Sequence, residues 1–114
     1  MSYEVYRQIV QALQQFFSNV STRERVAAGD NTAGVEAVLN VGHRRTVEVY
    51  VYCGGPCTIE VYGSIDGVEW RKVDSVDLDA AGEWHDGYLN GFPWVKVRVP
   101  TAGIDVVIEI TANP

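Results

Sequence analysis

The hydrophobic pattern of this chain has two parts, a helical period at the start and apolar–polar alternation through most of the remainder. Tyr3, Tyr6, Val10, Leu13, Phe17 and Val20 recur at intervals of 3, 4, 3, 4 and 3, a heptad seam that Ile9 and Phe16 widen. The spacing predicts an N-terminal amphipathic α-helix over residues 1–20. Fewer than three heptads make a weak coiled coil alone. The stripe therefore needs a cover, either the chain's own sheets or helices of other subunits. Two tyrosines and two phenylalanines are much apolar area for so short a helix and favour association. Tyr6, Ile9, Val10, Leu13, Phe16 and Phe17 are its packing candidates.

Residues 21–32 read as a polar connector that holds a short edge strand at Arg23–Ala27. From there seven segments alternate or run apolar: 34–41, 46–53, 57–64, 68–76, 83–88, 94–99 and 105–111. The boundaries carry turn formers, among them Gly54-Gly55-Pro56, Asp66-Gly67, Ala81-Gly82 and Asn90-Gly91. Short, evenly spaced strands of this kind predict an all-β domain over residues 33–114. It is an antiparallel β-sandwich or jelly-roll of 7–8 strands, with strand order left open.

Within this pattern, 46–53 and 57–64 look like the arms of a hairpin. Setting Cys53 opposite Cys57 pairs Val51 with Ile59 and Val49 with Val61, and sends Tyr50 beside Glu60. That register brings the thiols within reach of a cross-strand disulfide, or leaves them an idle pair. A metal site would need partners, and His43 and His85 belong to other segments. A cytosolic disulfide would be unusual outside hyperthermophiles. The turn at Asp66-Gly67 has two registers: one sets Val61 beside Lys72, the other beside Val73 with Trp70 on the tyrosine side.

Composition narrows the partners. The chain has 114 residues, 46% of them hydrophobic, enough for one folded domain. A net charge of -6 argues against nucleic acid, which calls for a basic stripe. Basic residues are scattered apart from Arg44-Arg45, and neighbours on a strand point to opposite faces. No stretch nears the roughly 20 apolar residues of a membrane span, and the start lacks the basic and apolar regions of a signal peptide. Production in a cytoplasm, with residence there or in an assembled particle, is the expectation.

Candidate chemistry is sparse. No serine sits in a nucleophile elbow, and no Gly loop opens a helix to cradle phosphate. His85 beside Asp86 is an imidazole–carboxylate pair by adjacency, but a surface histidine is the plainer reading. Asp74, Asp77 and Asp79 offer oxygen ligands for Ca²⁺ without the glycine-bearing loop of an EF-hand, which favours a solvated strand end. No catalytic residue, metal or cofactor is expected. The aromatics say more. Tyr50, Tyr52 and Tyr62 fall opposite the valines and read as an outer face covered by the helix. Trp84, Tyr88 and Trp94 crowd a later region and are the candidates for a ligand platform.

The run Ser64-Ile-Asp-Gly-Val-Glu-Trp70, with Val73, Gly82 and Trp94-Val-Lys-Val-Arg-Val99, resembles small β-sandwich modules. It is similar to discoidin-type sandwiches, and more so to accessory domains of phage and archaeal-virus virion proteins. In those modules Asp-Gly makes a tight turn with a Trp beside it, as Asp66, Gly67 and Trp70 would here. The resemblance implies a non-enzymatic virion structural protein whose partner is itself or another virion protein. The alternative is a module that recognises a glycan or host-surface ligand.

Overall fold

The computed structural model describes residues 5–9, 21–29, 34–89 and 91–114. Val5–Ile9 are helical. Val10, Leu13, Phe16 and Phe17 lie outside the described residues. Eight strands follow: β1 (Thr22–Ala28), β2 (Val35–Asn40), β3 (Thr46–Cys53), β4 (Cys57–Ser64), β5 (Arg71–Leu78), β6 (Gly82–Leu89), β7 (Trp94–Val99) and β8 (Val106–Asn113). They form two four-stranded sheets, ordered β1-β8-β3-β6 and β2-β7-β4-β5. The first strand pairs with the last, the second with the seventh, the third with the sixth and the fourth with the fifth, all antiparallel. That nested order is a jelly-roll.

Alternation dictates the layers. Val47, Val49, Val51 and Cys53 of β3 meet Val106, Ile108, Ile110 and Ala112 of β8 on one inner face. Cys57, Ile59 and Val61 of β4 join Val95, Val97 and Val99 of β7 on the other. Each fully buried aliphatic side chain contributes about 1.5–3 kcal/mol of transfer free energy. The edge strand β1 pairs with β8 and turns Glu24 to the inner side opposite Ile110. An inward carboxylate discourages a foreign strand from adding there. The segment read as a connector thus contributes a sheet strand, longer than the edge strand expected within it.

The hairpin of β3 and β4 does not form. The two strands belong to different sheets, with Tyr50 opposite His85 and Glu109 rather than Glu60. Three extended residues span about 10 Å, the spacing of stacked sheets, so Gly54-Gly55-Pro56 suffices to cross the sandwich. The tyrosines separate accordingly. Tyr50 and Tyr52 lie outside one sheet and Tyr62 outside the other, so no single helix-covered face unites them. The helical residues described are themselves exposed: Val5 46%, Tyr6 60% and Ile9 45%.

The β4–β5 connection also departs from the expectation. Asp66 Oδ1 accepts hydrogen bonds from the Val68 N–H (2.8 Å), the Glu69 N–H (3.0 Å) and the Ser64 hydroxyl (3.0 Å). This side-chain turn holds residues 65–70 off the ladder, so β5 starts at Arg71 rather than Val68. Val61 then pairs with Asp74 and Tyr62 with Lys72, with a bulge between. Neither expected register is realised, although Trp70 does reach the side of Tyr62, where Lys96 lies over both rings (4.6 and 5.0 Å). The ring beside the Asp66-Gly67 turn is Trp94, not Trp70. Gly67 has φ +78, and a Cβ there would come within 3.1 Å of the Trp94 indole.

Candidate functional site

The three aromatics read as a ligand platform do not share a surface. Trp84 and Tyr88 of β6 point inward, opposite Val51 and Val47, and pack against the core. Trp94 of β7 points outward, opposite Ser64 and Asn40. The reason is the alternation of two strands in different sheets. Tyr88 instead ties the sheets together at their edges, its hydroxyl donating to Asp74 Oδ2 of β5 at 2.7 Å. Burial and then this bond raise the Tyr88 phenol well above its ordinary range.

The other candidates disperse in the same way. His85 faces outward opposite Tyr50, and Asp86 lies on the opposite side of the strand, level with Val49. Asp74 sits on the inner side of β5, whereas Asp77 lies outside and accepts from the Thr58 hydroxyl at 2.8 Å. Asp74 and Asp77 therefore do not converge. Among the described residues, ion pairs on the outer faces join Arg23 Nε to Glu109 at 2.9 Å, Arg25 Nε to the same carboxylate at 4.0 Å and Lys72 Nζ to Glu60 at 2.6 Å. The Lys72 hydrogen bond holds the Glu60 carboxyl below its usual range and raises the Lys72 ammonium in return.

Cys53 and Cys57 do meet, but across the interior between the two sheets. Both are buried free thiols. Desolvation first, then the neighbouring Cys57 thiol, push the Cys53 thiol up to about 12. Beside them the crossing loop is sealed. The Gly54 N–H donates to the Asp105 carbonyl at 2.8 Å, and a Cβ on Gly55 would come within 3.0 Å of Ile104.

The concave surface lies at the other end of the sandwich, where β3 begins and β8 finishes. A basin of about 810 Å³ is lined by residues 42–46, Leu89, Gly91, Phe92, Pro93 and Pro114. Next to it an apolar crevice of about 140 Å³ runs between the sheets, past Val47, Val61, Val73 and Tyr88. Phe92 belongs to both walls. Its ring lies against the backbone of Gly63, where any Cβ would collide with it. Sequence reasoning missed the basin because it placed Arg44 and Arg45 on a strand, facing apart. They sit in the turn before β3, and both line the same hollow. The usable signal was Gly42-His43 just before them, a turn that suspends strand alternation.

No protein-family model matches the sequence, and no curated relative does. Among the described residues no helix is long and apolar enough to cross a membrane. Solved structures share the fold. The PBSX exported protein XepA superposes with a TM-score of 0.59 at 14% identity, over 84% of this chain and 37% of its own length. The chain thus spans well under half of that protein. The SPBc2 prophage-derived protein YomS gives 0.51 at 17% identity, over 82% of this chain and 94% of its own. CpGH89CBM32-6 of Clostridium perfringens gives 0.52 at 10%, over 79% and 91%. The chain is a β-sandwich, similar in fold to an exported PBSX protein, a prophage-derived protein and CpGH89CBM32-6.

Proposed function

We propose that this chain is a non-enzymatic structural or accessory protein of a virion, which assembles with copies of itself through its N-terminal helix and an outer sheet face. The observation that carries the reading is the exposure of Val5, Tyr6 and Ile9 on the helix while the sandwich closes its own core without them. Exposed apolar surface costs about 25 cal/mol per Å² in water, and association recovers it. The jelly-roll order suits the role, since this architecture builds capsid subunits as well as lectins. The likeness to XepA and YomS supports the phage association. Among the described residues, His85 faces outward and Asp86 inward, so this pair does not converge.

Light scattering on the full chain tests this. The expected result is a defined oligomer that dissociates in the Tyr6→Asp/Ile9→Asp double variant. A monomer at high concentration, or an oligomer indifferent to both changes, overturns it. The rival reading, a module for a glycan or host-surface ligand, loses the platform of Trp84, Tyr88 and Trp94. It retains the basin at the open end, whose size favours a ligand.

A further inference from the structure

Three consecutive basic residues, His43, Arg44 and Arg45, line the basin together with Leu89, Phe92 and Pro93. Its volume of about 810 Å³ falls within the range of small-molecule sites, about 300–1,000 Å³. The loop that carries the charges is fixed before anything binds. The N–H groups of Val41 and Gly42 both donate to the Pro93 carbonyl, at 2.8 and 3.1 Å. Arg44 N–H donates to the Val41 carbonyl at 3.2 Å, and Arg45 N–H to the Asn113 carbonyl at 2.9 Å. Asn40 Oδ1 accepts from the Gly42 N–H at 3.0 Å, and Gly42 takes the positive φ of +56 that the turn needs.

Arg44 Nη1 turns back to the Val41 carbonyl at 3.3 Å. His43 and Arg45 are exposed and join no ion pair among the described residues. No Asp or Glu lines the basin among those residues, in a chain where fifteen acids outnumber nine Lys and Arg. Beside the cations lies an apolar wall, and Leu89 on it is 88% exposed.

We propose that this basin binds an organic oxyanion: a carboxylate or sulfate held by Arg45 and His43, on a saccharide or apolar body seated against Leu89 and Phe92. A planar guanidinium fork matches such a group with two parallel hydrogen bonds. The body covers apolar surface that the fold leaves wet. The inference stands independently of self-association.

Calorimetric titration of the full chain with a sialylated trisaccharide, a sulfated disaccharide and inorganic phosphate tests it. At least one organic anion binds with Kd of about 1 mM or tighter, and binding weakens as salt rises. Arg45→Gln/His43→Gln weakens it about tenfold or more. Leu89→Ser weakens it without altering charge. Arg25→Gln, which removes a positive charge from the outer face of β1, leaves it unchanged. The carboxylated and sulfated probes separate the two sources of the oxyanion. The proposal is overturned by binding of phosphate alone, by equal loss in the Arg25 variant, or by no binding of any probe.

Discussion

The two ends of this sandwich are built from the same strands and solve opposite problems. At the end where β3 finishes, Cys53 and Cys57 are buried and the crossing loop packs onto Ile104 and Asp105. At the end where β3 begins, His43, Arg44 and Arg45 surround an open basin, and Leu89 stands almost free in solvent. The closed end uses glycines to bring backbones together. The open end uses them at Gly42, Gly63 and Gly67 to fix turns and admit rings. A jelly-roll must close its core somewhere, and here one end bears that task while the other holds the open basin.

The largest effect should come from placing a charge at the closed end. Cys53→Asp puts a carboxylate in an apolar site with only a thiol to meet it, and denaturant titration should show a loss of about 3–5 kcal/mol. A loss below about 1 kcal/mol would mean that this end admits water, and the contrast would fail.

Gly67→Ala ranks next. It combines a left-handed backbone with a Cβ pressed toward Trp94, and a cost of about 1–3 kcal/mol is expected at the same measurement. An unchanged midpoint would show that the turn at the open end is not rigid.

Cysteine chemistry sharpens the comparison further. With the thiol raised to about 12, little thiolate exists at neutral pH, so native Cys53 should alkylate far more slowly than the unfolded chain does. The sign of the linkage follows. The thiol's contribution to stability is complete below the ordinary pKa of about 8.5, and it is lost as pH climbs toward about 12. Mild oxidation should join Cys53 to Cys57 within one chain, detected by non-reducing mass analysis. A mixture of intermolecular products would contradict their enclosed placement.

The smallest effects belong to the basin rim. Arg45→Gln and His43→Gln should each shift stability by no more than about 0.5 kcal/mol, although they act on ligand affinity. At the neighbouring turn, backbone N–H groups of Glu69 and Val68 hold the Asp66 carboxyl below its ordinary value. Its contribution is therefore present above the usual carboxylate range and lost as pH falls through the lowered value. Asp66→Asn should flatten the acid limb of the stability profile, and an unchanged limb would remove Asp66 from the account.

Alternation along each strand was legible in the chain because burial acts on every second side chain. The inward faces of β3, β4, β7 and β8, the bounds of the first three, and the turn formers between them follow from that local signal. The start of β5 escaped it, since a carboxylate that binds the next backbone N–H groups competes with the ladder. The basin escaped it because turns have no period.

Sheet membership was decided only by the folded molecule. The sequence made β3 and β4 two-faced and joined them by three residues, a link equally able to close a hairpin or to cross between layers. Packing chose the crossing, because each strand then meets distant partners, β8 and β7, whose inner faces complete the core. With that choice the thiols met across the interior, the tyrosines parted to opposite surfaces, and three basic residues came together on one rim. Which side of a strand seeks cover is a local property, whereas which strand supplies it is a long-range competition settled by the whole chain.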